Sequence, residues 1–164
     1  MRVGLGQDQH VLSEGRRLVL GGVELEHERG LSGHSDADVL THAVIDALLG
    51  AAGLGTIGEH FPDSDQRYQD VSSLTLLAAT SAMLRDRGWR VGNVDSVIVA
   101  QQPRLAAHVR EMASRLAQVL EVGEERISVK ATSPEGAGAL GREEAIAASA
   151  VALLERSGAP GAAG

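Results

Sequence analysis

The sequence predicts an α+β (mixed α/β) fold, a single domain whose mixed sheet is covered by helices on one side. Three observations support this. Strand-like and helix-like segments alternate along 164 residues, a length suited to one core. The apolar residues are almost wholly aliphatic, with Phe61, Tyr68 and Trp89 the only aromatics, so layers of Val, Leu, Ile and Ala must form the interior. Neither an internal repeat nor a linker interrupts residues 1–156, and only the small-residue stretch 157–164, SGAPGAAG, is expected to be disordered.

The opening segment places Val3 and Leu5 in alternation, then Asp8, His10 and Leu12, and reads as a strand interrupted by Gly4 and Gly6. RRLVLGGVELEH follows as a hairpin, two apolar pairs about Gly21-Gly22. From about Asp38 to Ala51 the apolar spacing is helical and ends in glycine. PDSDQRYQD is polar and turn-like, suited to a mobile loop. A second helix spans 72–87 behind a Ser-Ser cap, WRVGNVDSVIVAQQP is a strand closed by proline, and 105–121 is a third helix. RISVKATSPEG gives a further strand and a glycine-rich loop. REEAIAASAVALLER is ambiguous: its alanines favour helix, yet Ile146, Ala148, Ala150 and Ala152 also alternate as in a strand.

Composition narrows the function. With 15 basic against 22 acidic residues the net charge is −7, which disfavours nucleic acid and anionic membranes as partners, and the scarcity of aromatics leaves few stacking platforms for bases. The absence of cysteine leaves His and carboxylates as the only strong ligands for a transition metal. No run resembles a membrane span or signal peptide, so a cytoplasmic location is expected.

Residues two apart on a strand share a face, so Asp8 and His10 converge. His42 lies on the first helix with Asp38 and Asp46 at intervals of four, and supplies a third ligand that either acid can orient. Two His and one carboxylate leave a fourth tetrahedral position open, as catalytic zinc requires. The same spacing is also met by ordinary polar residues at a strand end and on a helix surface. GHSDAD at 33–38 stands at a helix entrance, where anions are attracted, and Ser35 or Asp36 there also serves as a cap. KATSPEGAG at 130–138 joins hydroxyls, an acid and glycines as a diphosphate and Mg²⁺ site needs, or forms a plain polar loop; Asp63 and Asp65 fit a solvated turn equally well.

Taken together, GxDxH at 6–10, HSDADVLTHAVIDALLGAAGLGTIGEHFPDSD at 34–65, NVDSVIVAQQPRL at 93–105 and VKATSPEGAGALGREEAIAASAVALL at 129–154 closely resemble the 2-C-methyl-D-erythritol 2,4-cyclodiphosphate synthase family over nearly the whole chain. The resemblance implies an enzyme of the non-mevalonate isoprenoid pathway. Its substrate, 4-diphosphocytidyl-2-C-methyl-D-erythritol 2-phosphate, would yield the cyclic diphosphate and CMP. It also implies a homotrimer with sheets packed about the threefold axis and active sites between subunits, and it makes 142–155 a strand of that central sheet. Asp8, His10 and His42 then match the zinc ligands, and Glu135 the ligand of a second ion, Mg²⁺ or Mn²⁺. His34 and Ser133 match positions that stabilise the transition state, and Ser35 a phosphate contact. Ala100, Pro103, Arg104, Leu105 and Ala106, with Ala131 and Thr132, resemble the cytidine pocket of the neighbouring subunit. By the same resemblance Gly58, Phe61, Asp63 and Asp65 would contact the erythritol portion and form its lid.

Some positions differ from the family pattern. Thr56 replaces an Asp that would grip a methylerythritol hydroxyl, and Arg104 replaces a Lys. On the axial side Arg142 is kept, while Ala139 and Ser149 stand where an aromatic and an acid are usual. Two other readings compete with the synthase: a zinc-dependent phosphohydrolase, and a trimeric cytidine-nucleotide-binding module without turnover.

Overall fold

Strand β1 (Arg2–Glu14) divides its side chains cleanly between two environments. Gly4, Gly6 and Leu12 are buried on one face, where Asp8 and His10 are half-buried, whereas Val3, Leu5, Gln7, Gln9 and Val11 are exposed on the other. This computed structural model describes residues 1–158. The inward face of β1 lies directly against helix α1 (Val39–Ala52), and the two glycines permit the approach. A Cβ at Gly4 would stand 2.0 Å from the Ala47 carbonyl oxygen, and one at Gly6 would stand 2.0 Å from that of Ala43.

The hairpin of β2 (Leu18–Leu20) and β3 (Val23–Leu25) turns on Gly21 and Gly22, both at positive φ, as a tight two-residue turn demands. Strand β4 (Arg29–Leu31) pairs with the end of β1. After α1 come the short α2 (Ile57–His60), a 3₁₀ turn at Gln66–Tyr68 and α3 (Ser73–Asp86). Strand β5 (Trp89–Val99), α4 (Val109–Leu120), β6 (Ile127–Thr132), α5 (Gly138–Gly141) and β7 (Ala145–Arg156) complete the chain. The main sheet has the order β4-β1-β7-β5-β6; β5 and β6 are parallel and the other pairs antiparallel, so the sheet is mixed as expected. Helix α1 packs on β1 and β7 and is covered by α3, with α4 lying against α3 and β6, which accounts for the burial of α1 on nearly every side.

From Ala145 onward the ambiguous segment is strand β7, as the family resemblance implies, while residues 142–144, expected within the strand, form the turn that leads into it. It pairs along its length with β1 and β5, and Ile146, Ala148, Ala150, Ala152 and Leu154 all point into the core. Backbone pairing on both sides overrides the helical preference of alanine, and the small side chains let α1 lie close. Helix α4 begins at Val109, later than the expected 105, because residues 105–108 form a turn in which the His108 N–H donates to the Leu105 carbonyl. Of the expected disordered tail, Ser157 donates its N–H to the Gly88 carbonyl and Gly158 is in the turn; 159–164 lie outside the described residues.

Candidate active site

Asp8 and His10 reach the site from β1 and His42 reaches it from α1, and the glycine contact of these two elements brings the three together. Asp8 Oδ2 lies 2.9 Å from His10 Nε2 and 3.0 Å from His42 Nδ1, and the two nitrogens are 3.2 Å apart. Ligand atoms around a tetrahedral ion at ~2.0–2.1 Å stand about 3.3–3.4 Å apart, so the cluster accepts such an ion with an opening of a few tenths of an ångström. The remaining ring nitrogens are committed elsewhere. His10 Nδ1 faces the Ser32 carbonyl at 2.7 Å, so its N–H donates there and Nε2 keeps its lone pair. His42 Nε2 faces the hydroxyls of Ser73 at 2.9 Å and Ser35 at 3.1 Å, which leaves Nδ1 for the ion.

The electrostatics agree with a cation site. Burial raises the carboxyl pKa of Asp8, but the hydrogen bonds and charges of His10 and His42 outweigh it and hold the group well below the usual carboxylate range. Burial lowers the pKa of His10, yet Asp8, the Ser32 carbonyl and the charge of Asp63 together carry it above the ordinary value. Burial also raises Asp46, and the neighbouring Asp8 adds to this.

The triad lines a cavity of about 320 Å³, together with His34, Ser35, Asp46, Gly58, Phe61 and Asp63 from the expected set. Ile57, Tyr68 and Leu76, none of them among the expected site residues, add apolar wall. His34 donates from Nε2 to the Asp65 carbonyl, tying the loop before α1 to the polar loop beyond Phe61. Asp65 is outside the lining, its carboxylate engaged by Arg67, and Thr56 is outside it too, its hydroxyl donating to Glu59.

Asp38 and Asp46 require correction, because neither carboxylate hydrogen-bonds to the His42 ring; Asp38 meets His42 only through its backbone carbonyl, which accepts the His42 N–H in the first turn of α1. Asp38 is fully buried; it caps α1 at the Thr41 N–H and hydroxyl and accepts the Gly21 and Gly22 N–H groups of the hairpin turn. Asp46 accepts the Ile57 N–H at the start of α2. The cap expected of Ser72 is also absent; Asp36 accepts the Ser73 N–H instead, so Asp36 serves α3. Ser73 is the residue that sequence reading missed. It lies 31 positions from His42, and nothing in its own segment signals the contact.

A second cavity, of about 380 Å³, gathers Ala100, Pro103, Arg104, Leu105, Ala106, Ala131, Thr132, Ser133 and Glu135. These residues follow the parallel ends of β5 and β6, which explains why two distant motifs meet there. Gln101 braces the loop, its Oε1 accepting the Gly136 N–H. Arg142 lies outside both cavities, exposed and paired with Glu144. The two cavities open at the same end of the sheet, since Gln9 and Val99 are both level with Ala147, but β1 and β6 are separated by β7 and β5. Three strand spacings amount to ~14 Å.

An α+β domain with a His₂-carboxylate cluster beside an open cavity has the donor set of a metal-binding protein. The chain belongs to the YgbB family, whose model matches residues 1–155. It is 59% identical to the 2-C-methyl-D-erythritol 2,4-cyclodiphosphate synthase of Syntrophomonas wolfei over 157 residues, 96% of this chain and 100% of the relative. It is 57% identical to the synthase of that name from Synechococcus elongatus over 94% of this chain and 97% of the relative. Among solved structures, a CDP-bound 2C-methyl-D-erythritol-2,4-cyclodiphosphate synthase superposes with a TM-score of 0.86 at 34% identity, over 94% of this chain and 100% of that one. The IspF–CDP complex of Plasmodium falciparum superposes with a TM-score of 0.82 at 32% identity, over 95% and 96%.

Proposed function

We infer that the protein converts 4-diphosphocytidyl-2-C-methyl-D-erythritol 2-phosphate to 2-C-methyl-D-erythritol 2,4-cyclodiphosphate with release of CMP, in the non-mevalonate isoprenoid pathway. The observation that carries this is the Asp8, His10 and His42 cluster facing a cavity in a chain of this family. In the reaction an oxygen of the 2-phosphate attacks the β-phosphorus. The bond from that phosphorus to the bridging oxygen breaks, and the electron pair leaves with CMP. Attack and departure occur within one molecule, so the protein's main task is to hold two anionic groups in contact and in line.

Asp8, His10 and His42 would hold Zn²⁺ or another divalent transition metal, and Glu135 Mg²⁺ or Mn²⁺. Bound there, the ions supply Lewis-acid polarisation of phosphoryl oxygens and offset the repulsion between phosphates. Ser35 lines the cavity beside His34, whose bond to Asp65 links the phosphate loop to the loop that closes over the erythritol portion. Ser133 has an accessible hydroxyl in the second cavity, where Ala100 to Ala106, Ala131 and Thr132 offer a nucleotide backbone groups and the Arg104 guanidinium. CDP in two of the similar structures supports a cytidine nucleotide as ligand.

Paired catalytic ions work at ~3.5–4 Å. Glu135 is three strands from the zinc cluster of its own chain, so it would complete the active site of a neighbouring copy. A homotrimer supplies that neighbour. It would also cover the unusually apolar outer sheet face, where Val3, Leu5, Val11 and Val151 are 67%, 64%, 60% and 44% exposed. Arg142 would then approach the trimer axis. No helix among the described residues is long and apolar enough to cross a membrane, in keeping with the cytoplasmic location proposed for the enzyme.

Phosphorus NMR of the purified protein with the cytidyl substrate, Zn²⁺ and Mg²⁺ tests the reaction. Cyclic diphosphate with stoichiometric CMP is expected. A linear, hydrolysed product would indicate a phosphohydrolase, and tight CMP binding with unchanged substrate a nucleotide-binding module.

A further inference from the structure

The Nε2 edge of His42, away from Asp8 and His10, meets two linked polar groups, Ser73 and Asp36, that neither the metal site nor the substrate uses. Ser73 is fully buried at the first turn of α3, with its Oγ 2.9 Å from His42 Nε2. Its hydroxyl donates to Asp36 Oδ1, while its own N–H donates to Asp36 Oδ2. A hydroxyl has one proton. Because the carboxylate takes that proton, the lone pairs of Ser73 Oγ are left to accept the His42 Nε2–H. Ser35 Oγ is farther away, at 3.1 Å, and already accepts the Ala37 N–H, so it is the weaker acceptor. Asp36 is in turn fixed by its own N–H to the Val71 carbonyl.

We propose that Ser73, polarised and oriented by Asp36, is the positioning residue for His42. It fixes the tautomer that offers Nδ1 to the metal and prevents the ring from rotating about its bond to the helix. The proposal rests on the reading of Asp8, His10 and His42 as a zinc site. A carboxylate–hydroxyl–imidazole relay gives the ligand the same kind of support as a group bonded directly to a metal-bound histidine, the loss of which costs about 10–100-fold in metal affinity. The relay also makes α3 part of the metal site, because Asp36 caps that helix with the carboxylate that holds Ser73.

The test is zinc affinity by competition with a chromophoric chelator, measured on wild type, Ser73→Ala, Asp36→Asn, Ser35→Ala and His42→Ala, with circular dichroism to confirm folding. The imidazole N–H region of the proton NMR spectrum is recorded on each zinc-loaded protein. Ser73→Ala is expected to weaken zinc by about 10–100-fold and to remove the slowly exchanging His42 Nε2–H signal. Asp36→Asn, which keeps an acceptor but loses the charge, should fall between it and wild type, and Ser35→Ala should weaken zinc less than Ser73→Ala. A folded Ser73→Ala with wild-type affinity and an unchanged N–H signal overturns the relay and leaves the metal site standing. Stoichiometric zinc retained by His42→Ala, or no zinc bound by wild type, overturns the metal assignment and the relay with it.

Discussion

Replacing Gly6 with alanine tests how the metal cluster is assembled. The added Cβ would lie 2.0 Å from the Ala43 carbonyl oxygen and 2.5 Å from the Ala47 nitrogen, both backbone atoms of α1 that no rotamer change can move. Ordinary contact begins at 3.4 Å, so β1 and α1 must separate by about 1.4 Å at this point. Asp8 and His10 travel with the strand and His42 with the helix, whereas metal–ligand distances tolerate about ±0.2 Å. Overpacking of this kind costs ~1–3 kcal/mol and more when backbone meets backbone, so we expect a loss of about 3 kcal/mol. In a chain of this size that lowers Tm by roughly 6–12 °C. Zinc affinity should fall at least ~10-fold. Thermal denaturation and chelator competition measure the two effects, with Gly50→Ala as control. Gly50 lies within α1 and its added Cβ would meet nothing nearer than the Leu5 carbonyl oxygen at 3.9 Å, so that substitution should be neutral or stabilising by up to ~1 kcal/mol. A Gly6→Ala protein with the Tm and zinc affinity of wild type would refute the reasoning.

Asp38→Ala removes the cap of α1 and leaves the Gly21 and Gly22 N–H groups without their acceptor, and should destabilise the fold by about 3–5 kcal/mol in urea titration; a change under ~1 kcal/mol would contradict its structural role. Thr56→Asp should lower KM for the cytidyl substrate with kcat little changed, and an unchanged KM would mean the position makes no substrate contact. Zinc binding requires an unprotonated His10, and Asp8 lifts the His10 pKa above 6.5, so proton competition begins at a higher pH than for a free imidazole. The zinc Kd should therefore begin to rise at a higher pH than at a site built on unperturbed imidazoles, approaching ~10-fold per pH unit once His10 is protonated; titration at several pH values checks this. Sedimentation should find a trimer, and an active monomer would contradict the shared site.

Periodicity was enough to read most of the fold. The Gly21-Gly22 hairpin, the helix from about residue 38 that a glycine closes, and the shared face of Asp8 and His10 all follow from local rules, since turn chemistry and helical or strand periodicity act within a few residues. Strand β7 does not, because its alanines adopt a strand only through pairing with β1 and β5. The site was legible where residue type matches chemistry, since Asp8, His10 and His42 do converge. Asp38 misled because a helical interval of four from His42 suits a ligand partner and an N-cap equally well, and the hairpin N–H groups that decide the matter lie elsewhere in the sequence. Ser73 and Asp36 carried no signal beyond capping, because their contact with His42 exists only once α3 has packed against α1.

The central claim is that Asp8, His10 and His42 hold a divalent transition metal that turnover requires. It is tested most directly by stripping the protein with a zinc-selective chelator, measuring its metal content, and following CMP release from the cytidyl substrate in excess Mg²⁺ before and after zinc is added back. The account predicts one zinc per chain at full activity, near-complete loss on stripping, recovery in proportion to zinc restored, and no recovery in His42→Ala. Undiminished CMP release from protein shown to be free of transition metal would contradict it.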